Sequence, residues 1–126
     1  MKVRQVMTAT LLTARPTTTI AEVASLMAQR RVGSAMVTEG ERLLGIFTER
    51  DIVKALSQDA AATGQAIGHW MTSEPQTVSP DASIEEALQR MVDGGFRHLP
   101  VVEGGRVTGM LSMRDISRVQ LRGQQP

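Results

Sequence analysis

The chain repeats itself at a displacement of 64 residues, with no gap. Gly45-Ile46-Phe47-Thr48-Glu49-Arg50-Asp51-Ile52 returns as Gly109-Met110-Leu111-Ser112-Met113-Arg114-Asp115-Ile116. The same offset pairs Met7-Thr8 with Met71-Thr72, Thr13 with Thr77, Pro16 with Pro80, and Glu39-Gly40 with Glu103-Gly104. From Val6–Leu56 against Trp70–Gln120, 15 of 51 aligned positions are identical, where chance at ordinary composition gives roughly three or four. A duplication constrains the architecture before any residue is read for chemistry. A polar motif that recurs in the same structural place also predicts two equivalent sites.

Each half, at roughly 55 residues, would be marginal alone, whereas 126 residues suit one compact domain burying about two-thirds of its unfolded surface. The expectation is therefore two halves, 1–60 and 61–126, sharing one core. Charges of both signs are interspersed and sum to a formal +1, which argues against nucleic acid or an anionic membrane as partner. The absence of cysteine excludes disulfide and thiol chemistry. Neither a signal-peptide pattern nor a long apolar stretch is present, so a cytoplasmic location is expected. Phe47, Trp70 and Phe96 are the only aromatics, and the eight methionines read as core filler. Base stacking on an aromatic platform is not available as a main recognition device.

Both halves read in the same order. A polar lead ends at Pro16 or Pro80, and Thr19-Ile20-Ala21-Glu22 or Ser83-Ile84-Glu85-Glu86 then opens a helix as a capping box. Ile20, Val23, Ala24 and Met27, and Ile84, Ala87, Leu88 and Met91, follow at helical spacing. Gly33 and Gly94-Gly95 read as the helix exits. Two short apolar runs about Glu39-Gly40-Glu41 or Glu103-Gly104-Gly105 predict a hairpin. Pro100 fits only a strand start or an edge. A second helix starts at Thr48 or Ser112, and Leu11–Ala14 and Gln76–Val78 are candidate extra strands. Ser57–Gly68 joins the halves without being a flexible tether, and Met1–Val6 and Gly123–Pro126 read as loose ends. Trp70 is expected to pack the start of the second half against the shared core; an exposed partner contact is the alternative.

The Thr48-x-x-Asp51 and Ser112-x-x-Asp115 pairs admit two readings. [ST]-x-x-[DE] at a helix start is a capping box that needs no ligand. Against that, both copies use the shorter Asp where the other helices use Glu, and an Arg precedes each Asp. Each motif also follows a strand, which puts a helix N-terminus at a strand's carboxyl end, where free amides favour an anion. Hydroxyl, carboxylate and guanidinium could then divide a nucleotide between them, with Asp on ribose hydroxyls and Thr/Ser and Arg on phosphate. Residue chemistry alone supports an anionic, hydroxylated small ligand.

The paired motifs, the Val6-Met7-Thr8 and Trp70-Met71-Thr72 openings, and Arg97-His98-Leu99-Pro100-Val101-Val102 resemble a tandem pair of cystathionine β-synthase-type (CBS) domains, or Bateman module, of stand-alone bacterial type. The resemblance spans about Val3–Leu121. It implies an α+β fold of two pseudo-symmetric repeats, each a small three-stranded sheet with two helices, packed sheet to sheet. It also implies an adenosine ligand between the repeats: AMP, ADP or ATP, with S-adenosylmethionine or a cyclic dinucleotide as alternatives. Carried over, one site uses Ser112, Arg114 and Asp115 with Arg97 and His98, closed by Thr8–Ala14 and Val32-Gly33. The other uses Thr48, Arg50 and Asp51, closed by Thr72–Val78 and Phe96. Asp51 and Asp115 would hold ribose, and the lead backbone near Thr13 and Thr77, with Val78, would meet the adenine. Gly33-Ser34 stands where the second half has Arg97-His98, so the Ser112/Asp115 site is expected to be the better phosphate site. Met36 stands where the second half has Pro100. A disc-shaped homodimer is also implied.

His98 and His69 lack companions at metal-ligand spacing, so no metal is expected. No activated nucleophile is visible either, so the chain reads as non-enzymatic, with no required cofactor. A structural or interaction subunit, in which the Thr/Ser–Asp pairs serve only as caps, is the reading from a different class. The regulated partner is not legible.

Overall fold

The computed structural model describes residues 1–123. Its long helices and hairpin strands keep the 64-residue offset: helix α1 (Ile20–Arg30) against α3 (Ile84–Gly94), and α2 (Glu49–Gln58) against α4 (Met113–Gly123). Strand β2 (Ser34–Glu39) likewise matches β5 (His98–Glu103), and β3 (Arg42–Thr48) matches β6 (Arg106–Ser112). Each hairpin carries the same irregularity, between Val37 and Thr38 or between Val101 and Val102. The fold class is the expected α+β.

The compact units do not coincide with the halves 1–60 and 61–126. One unit is Leu11–Pro75, and the other is Met1–Thr10 together with the chain from Gln76 onward. The repeats are interleaved, because each hairpin is edged by the lead segment of the other half. Strand β4 (Thr72–Ser73) pairs antiparallel with β3 through Ile46 and Gly45. In the second unit Thr8 bridges Met110 in the same way, with two amide bonds of 2.9 Å.

The anticipated three-stranded sheet is four-stranded in the first unit, in the order β1-β2-β3-β4 with β1 at Thr13–Ala14. The second unit keeps only the two-stranded hairpin, flanked by isolated bridges. Proline accounts for part of the difference. Met36 N–H donates to Leu12 O at 2.8 Å. Its counterpart Pro100 has no N–H to give, so Val78 meets β5 at a single parallel bridge to Val101.

The buried apolar residues fall into two clusters. One contains Leu12, Ile20, Val23, Met27, Val37, Phe47 and Ile67, and the other Val3, Val78, Ile84, Met91, Leu99, Val101 and Ile116. Alternation along β2 sends Ala35 and Val37 into the first cluster and leaves Ser34 and Met36 on the opposite face. The presumed joining stretch is packed, with Ala62 and Ile67 fully buried in the first cluster. Trp70 packs on that cluster and donates its indole N–H to Gln65 Oε1 at 2.9 Å, so its packing role is local to one unit.

The N-terminus is not a loose end. Val3 is fully buried in a 3-10 turn at Val3–Gln5, and its amide donates to Ala82 O at 2.8 Å. At the other end Gly123 closes α4, and residues 124–126 lie outside the described residues.

Helix α1 does not exit at Gly33. Its C-cap is Arg31, in the left-handed conformation (φ 55°, ψ 43°), the position filled by Gly95 (φ 71°) at the end of α3. A side chain is strained there and glycine is not. Arg31→Gly should therefore stabilise the chain by about 0.5–1 kcal/mol, after allowing for the extra freedom glycine gives the unfolded chain. A melt is expected to show a rise of a few degrees.

Candidate functional site

Each hairpin delivers its chain directly into a helix. Thr48 ends β3 and caps α2 in extended backbone, and Ser112 ends β6 just before α4. The first helical amide is tied to the strand start across the sheet, Glu49 N to Gly33 O at 3.1 Å and Met113 N to Arg97 O at 2.9 Å. The polar helix starts are thus fixed by the sheet.

The Asp side chains reach back to the cap despite their shortness. Asp51 Oδ2 accepts from Thr48 N at 2.9 Å and from Thr48 Oγ1 at 3.3 Å. Asp115 Oδ2 accepts from Ser112 N at 3.0 Å, while Ser112 Oγ accepts from Asp115 N at 3.1 Å. In α1 and α3 only the hydroxyl half of the box is formed among the described residues: Thr19 Oγ1 accepts from Glu22 N, and Ser83 Oγ from Glu86 N. Aspartate is the right length for reciprocal capping here, so a plain cap is physically realised at both sites. All of these carboxylate bonds fall on Oδ2. A ligand hydroxyl could use Oδ1 without breaking the cap.

The two carboxylates differ in setting. Asp51 is 9% exposed, whereas Asp115 is half-buried. Burial holds the Asp51 carboxyl above the usual carboxylate range, partly offset by the Thr48 bonds and by Lys54 and Arg50. A buried carboxylate is stabilised by a hydroxyl donor and destabilised by an anion.

The first unit places Thr48, Arg50 and Asp51 at one sheet end, with Arg50 exposed. Thr13, which the resemblance gave to the Ser112/Asp115 site, sits in β1 opposite Met36. It lines an open depression of about 730 Å³ with Arg15, Pro16, Thr38 and Glu39, toward the hairpin-turn end of β2. The second unit places Arg97 and His98 at the start of β5 and Ser112, Arg114 and Asp115 at the end of β6, with His98 directly opposite Ser112. Arg97 and Arg114 are exposed. Val78 is buried, and the Thr77 carbonyl already accepts a 2.6 Å bond from Arg90 Nη1. The residue that sequence reasoning missed is Ser34, treated there only as a lost cation. Its place in register with His98 was the available signal.

Among the described residues no cluster of His, Cys, Asp or Glu could hold a metal ion, and no helix is long and apolar enough to cross a membrane.

An interleaved pair of hairpin-and-helix repeats, each with a hydroxyl–carboxylate helix start, defines a tandem CBS-domain pair. The CBS domain family matches residues 3–58 and 67–122, and the chain belongs to that family. It is 38% identical over 122 residues to an uncharacterized 17.7 kDa protein in the bps2 3′ region of Acidianus ambivalens, covering 95% of this chain and 73% of that protein. It is 42% identical over 104 residues to the CBS domain-containing protein CBSCBSPB1 of Arabidopsis thaliana, covering 81% of this chain but 19% of that larger protein. Among solved structures, the CBS domain pair of protein MJ0100 in complex with 5′-methylthioadenosine and S-adenosyl-L-methionine superposes with a TM-score of 0.90 at 27% identity, covering 99% of this chain and 98% of that one.

Proposed function

We propose that this chain is a non-enzymatic regulatory module that binds an adenosine-containing small molecule, AMP, ADP or ATP, at its hydroxyl–carboxylate helix starts and passes occupancy to a partner protein. The carrying observation is the twice-built strand-to-helix junction in which Oδ2 of Asp51 or Asp115 is spent on the cap, leaving Oδ1 for ribose hydroxyls. Support comes from the related MJ0100 pair, which is complexed with adenosine compounds. Any effect on the partner is bounded by the ligand's differential affinity for the module's two states. Exposed Val53 and Leu56 on α2, and Leu121 on α4, support a homodimer built through these helices.

A second reading is favoured by the intact capping bonds themselves: a structural subunit in which both motifs serve only as caps. Calorimetry with AMP, ATP and S-adenosylmethionine, together with mass spectrometry of any co-purifying ligand, separates the two. Micromolar or tighter binding is expected. No binding by any of the three, with stability lost in Asp51→Ala and Asp115→Ala, would establish the cap reading.

A further inference from the structure

A buried hydroxyl without a partner marks the point where the two copies diverge. Ser34 opens β2 directly opposite Thr48, so the two side chains share a face of the sheet. Ser34 is 3% exposed, and its Oγ has no hydrogen-bond partner. Such orphans are rare, because a buried hydroxyl left unpaired forgoes the hydrogen bonds it makes in water. The nearest groups along the backbone are already engaged: Thr48 Oγ1 with Asp51, and Gly33 O with Glu49 N.

In the second unit the same register holds His98, opposite Ser112. It is preceded by Arg97, which is exposed and makes no ion pair among the described residues. Arg50 and Arg114 are common to both copies. What differs is a cation available in one copy against a neutral hydroxyl beside a more deeply buried carboxylate in the other. A phosphate brought near that carboxylate meets repulsion that water screens poorly. A sugar hydroxyl or a ring nitrogen meets none, and can satisfy Ser34.

We propose that Ser34 is a ligand-contacting hydroxyl which, with Thr48 and Asp51, makes the site of the Leu11–Pro75 unit select an uncharged nucleoside, while the Arg97–Ser112–Asp115 site requires a phosphate. This rests on the adenosine reading above and deepens it.

Calorimetric titration of the full chain with adenosine and with AMP, repeated on Asp51→Asn, Asp115→Asn and Ser34→Ala, tests it. Two binding events are expected. The event lost in Asp51→Asn favours adenosine over AMP at least about tenfold, and the event lost in Asp115→Asn favours AMP at least about tenfold. Ser34→Ala lowers adenosine affinity at the first about three- to tenfold and leaves the second unchanged. The double variant Gly33→Arg/Ser34→His converts the first site to a preference for AMP. The proposal is overturned if the Asp51-dependent event takes AMP as well as or better than adenosine, if Ser34→Ala leaves adenosine affinity unchanged, or if the Asp115-dependent event takes adenosine as well as AMP. That last outcome leaves the adenosine reading standing. Failure of adenosine, AMP, ATP and S-adenosylmethionine alike to bind overturns both.

Discussion

Asp115→Ala is expected to weaken AMP or ATP binding about ten- to a hundredfold and, separately, to lower stability by about 1 kcal/mol. The two losses have different origins. A charge-assisted bond to a ligand hydroxyl contributes about 1.5–3 kcal/mol, whereas a helix cap contributes about 0.5–2 kcal/mol. Asp115→Asn keeps an oxygen for Ser112 N–H but loses the charge, so it should lose affinity while melting close to the wild type. Affinity and stability falling together in Asp115→Ala, with both restored in Asp115→Asn, would mark a cap and nothing more. Asp51→Ala should cost less phosphate-dependent binding than Asp115→Ala; abolition by Asp51→Ala with Asp115→Ala silent would reverse the ranking of the two sites.

Asp51 also carries a pH signature. Burial raises its folded-state pKa above the unfolded value, so the native state keeps its proton more readily than the unfolded chain does. The contribution of Asp51 is most favourable below the unfolded pKa of about 4 and is lost as pH rises through the higher folded value. Asp51→Asn removes that titration. Its melting temperature relative to the wild type should therefore climb from about pH 4 toward neutrality, readable by melts across a pH series.

Much of this was legible because the repeat acts as an alignment of the chain with itself. Helices, hairpins and the two polar helix starts follow from capping residues, apolar spacing and turn glycines, each local in sequence. The interleaving was legible only through the resemblance, which closes each helix start with the lead of the other half; nothing in Met7-Thr8 or Met71-Thr72 themselves says which hairpin they will edge. The make-up of the two buried clusters follows from that same exchange: Val3 is buried with Val101 and Ile116, not with Phe47. The left-handed Arg31 was hidden for the opposite reason, because a glycine two residues later offered a more conventional exit. Side-chain length misled at Asp51 and Asp115, where reach is set by the backbone at the strand end and not by the number of methylenes. Ser34 could be compared with His98 by offset alone, but its missing partner is a property of three-dimensional packing.

Gly45→Ala is expected to destabilise the fold strongly for so small a chemical change. Gly45 faces β4, and a Cβ there would lie 2.7 Å from both the Met71 sulfur and the Thr72 carbonyl oxygen. The sulfur ends a flexible side chain and can move, but the carbonyl belongs to the paired backbone and cannot without shifting β4. Overpacking of this kind costs about 1–3 kcal/mol, and the upper half of that range is expected. Gly109 is the matched position, yet its Cβ would meet the Met7 sulfur at 2.6 Å and the Thr8 carbonyl only at 3.1 Å. Gly109→Ala should therefore cost less, and a second change, Met7→Ala, should relieve its clash at the price of lost packing. Met71→Ala should fail to rescue Gly45→Ala, because the carbonyl remains. Gly64→Ala, with nothing within 4 Å of the added carbon, serves as the control and should be near neutral. Denaturant melts of these variants order the costs; Gly45→Ala proving as mild as Gly64→Ala would mean that the glycine is not what lets the exchanged segment lie against its hairpin.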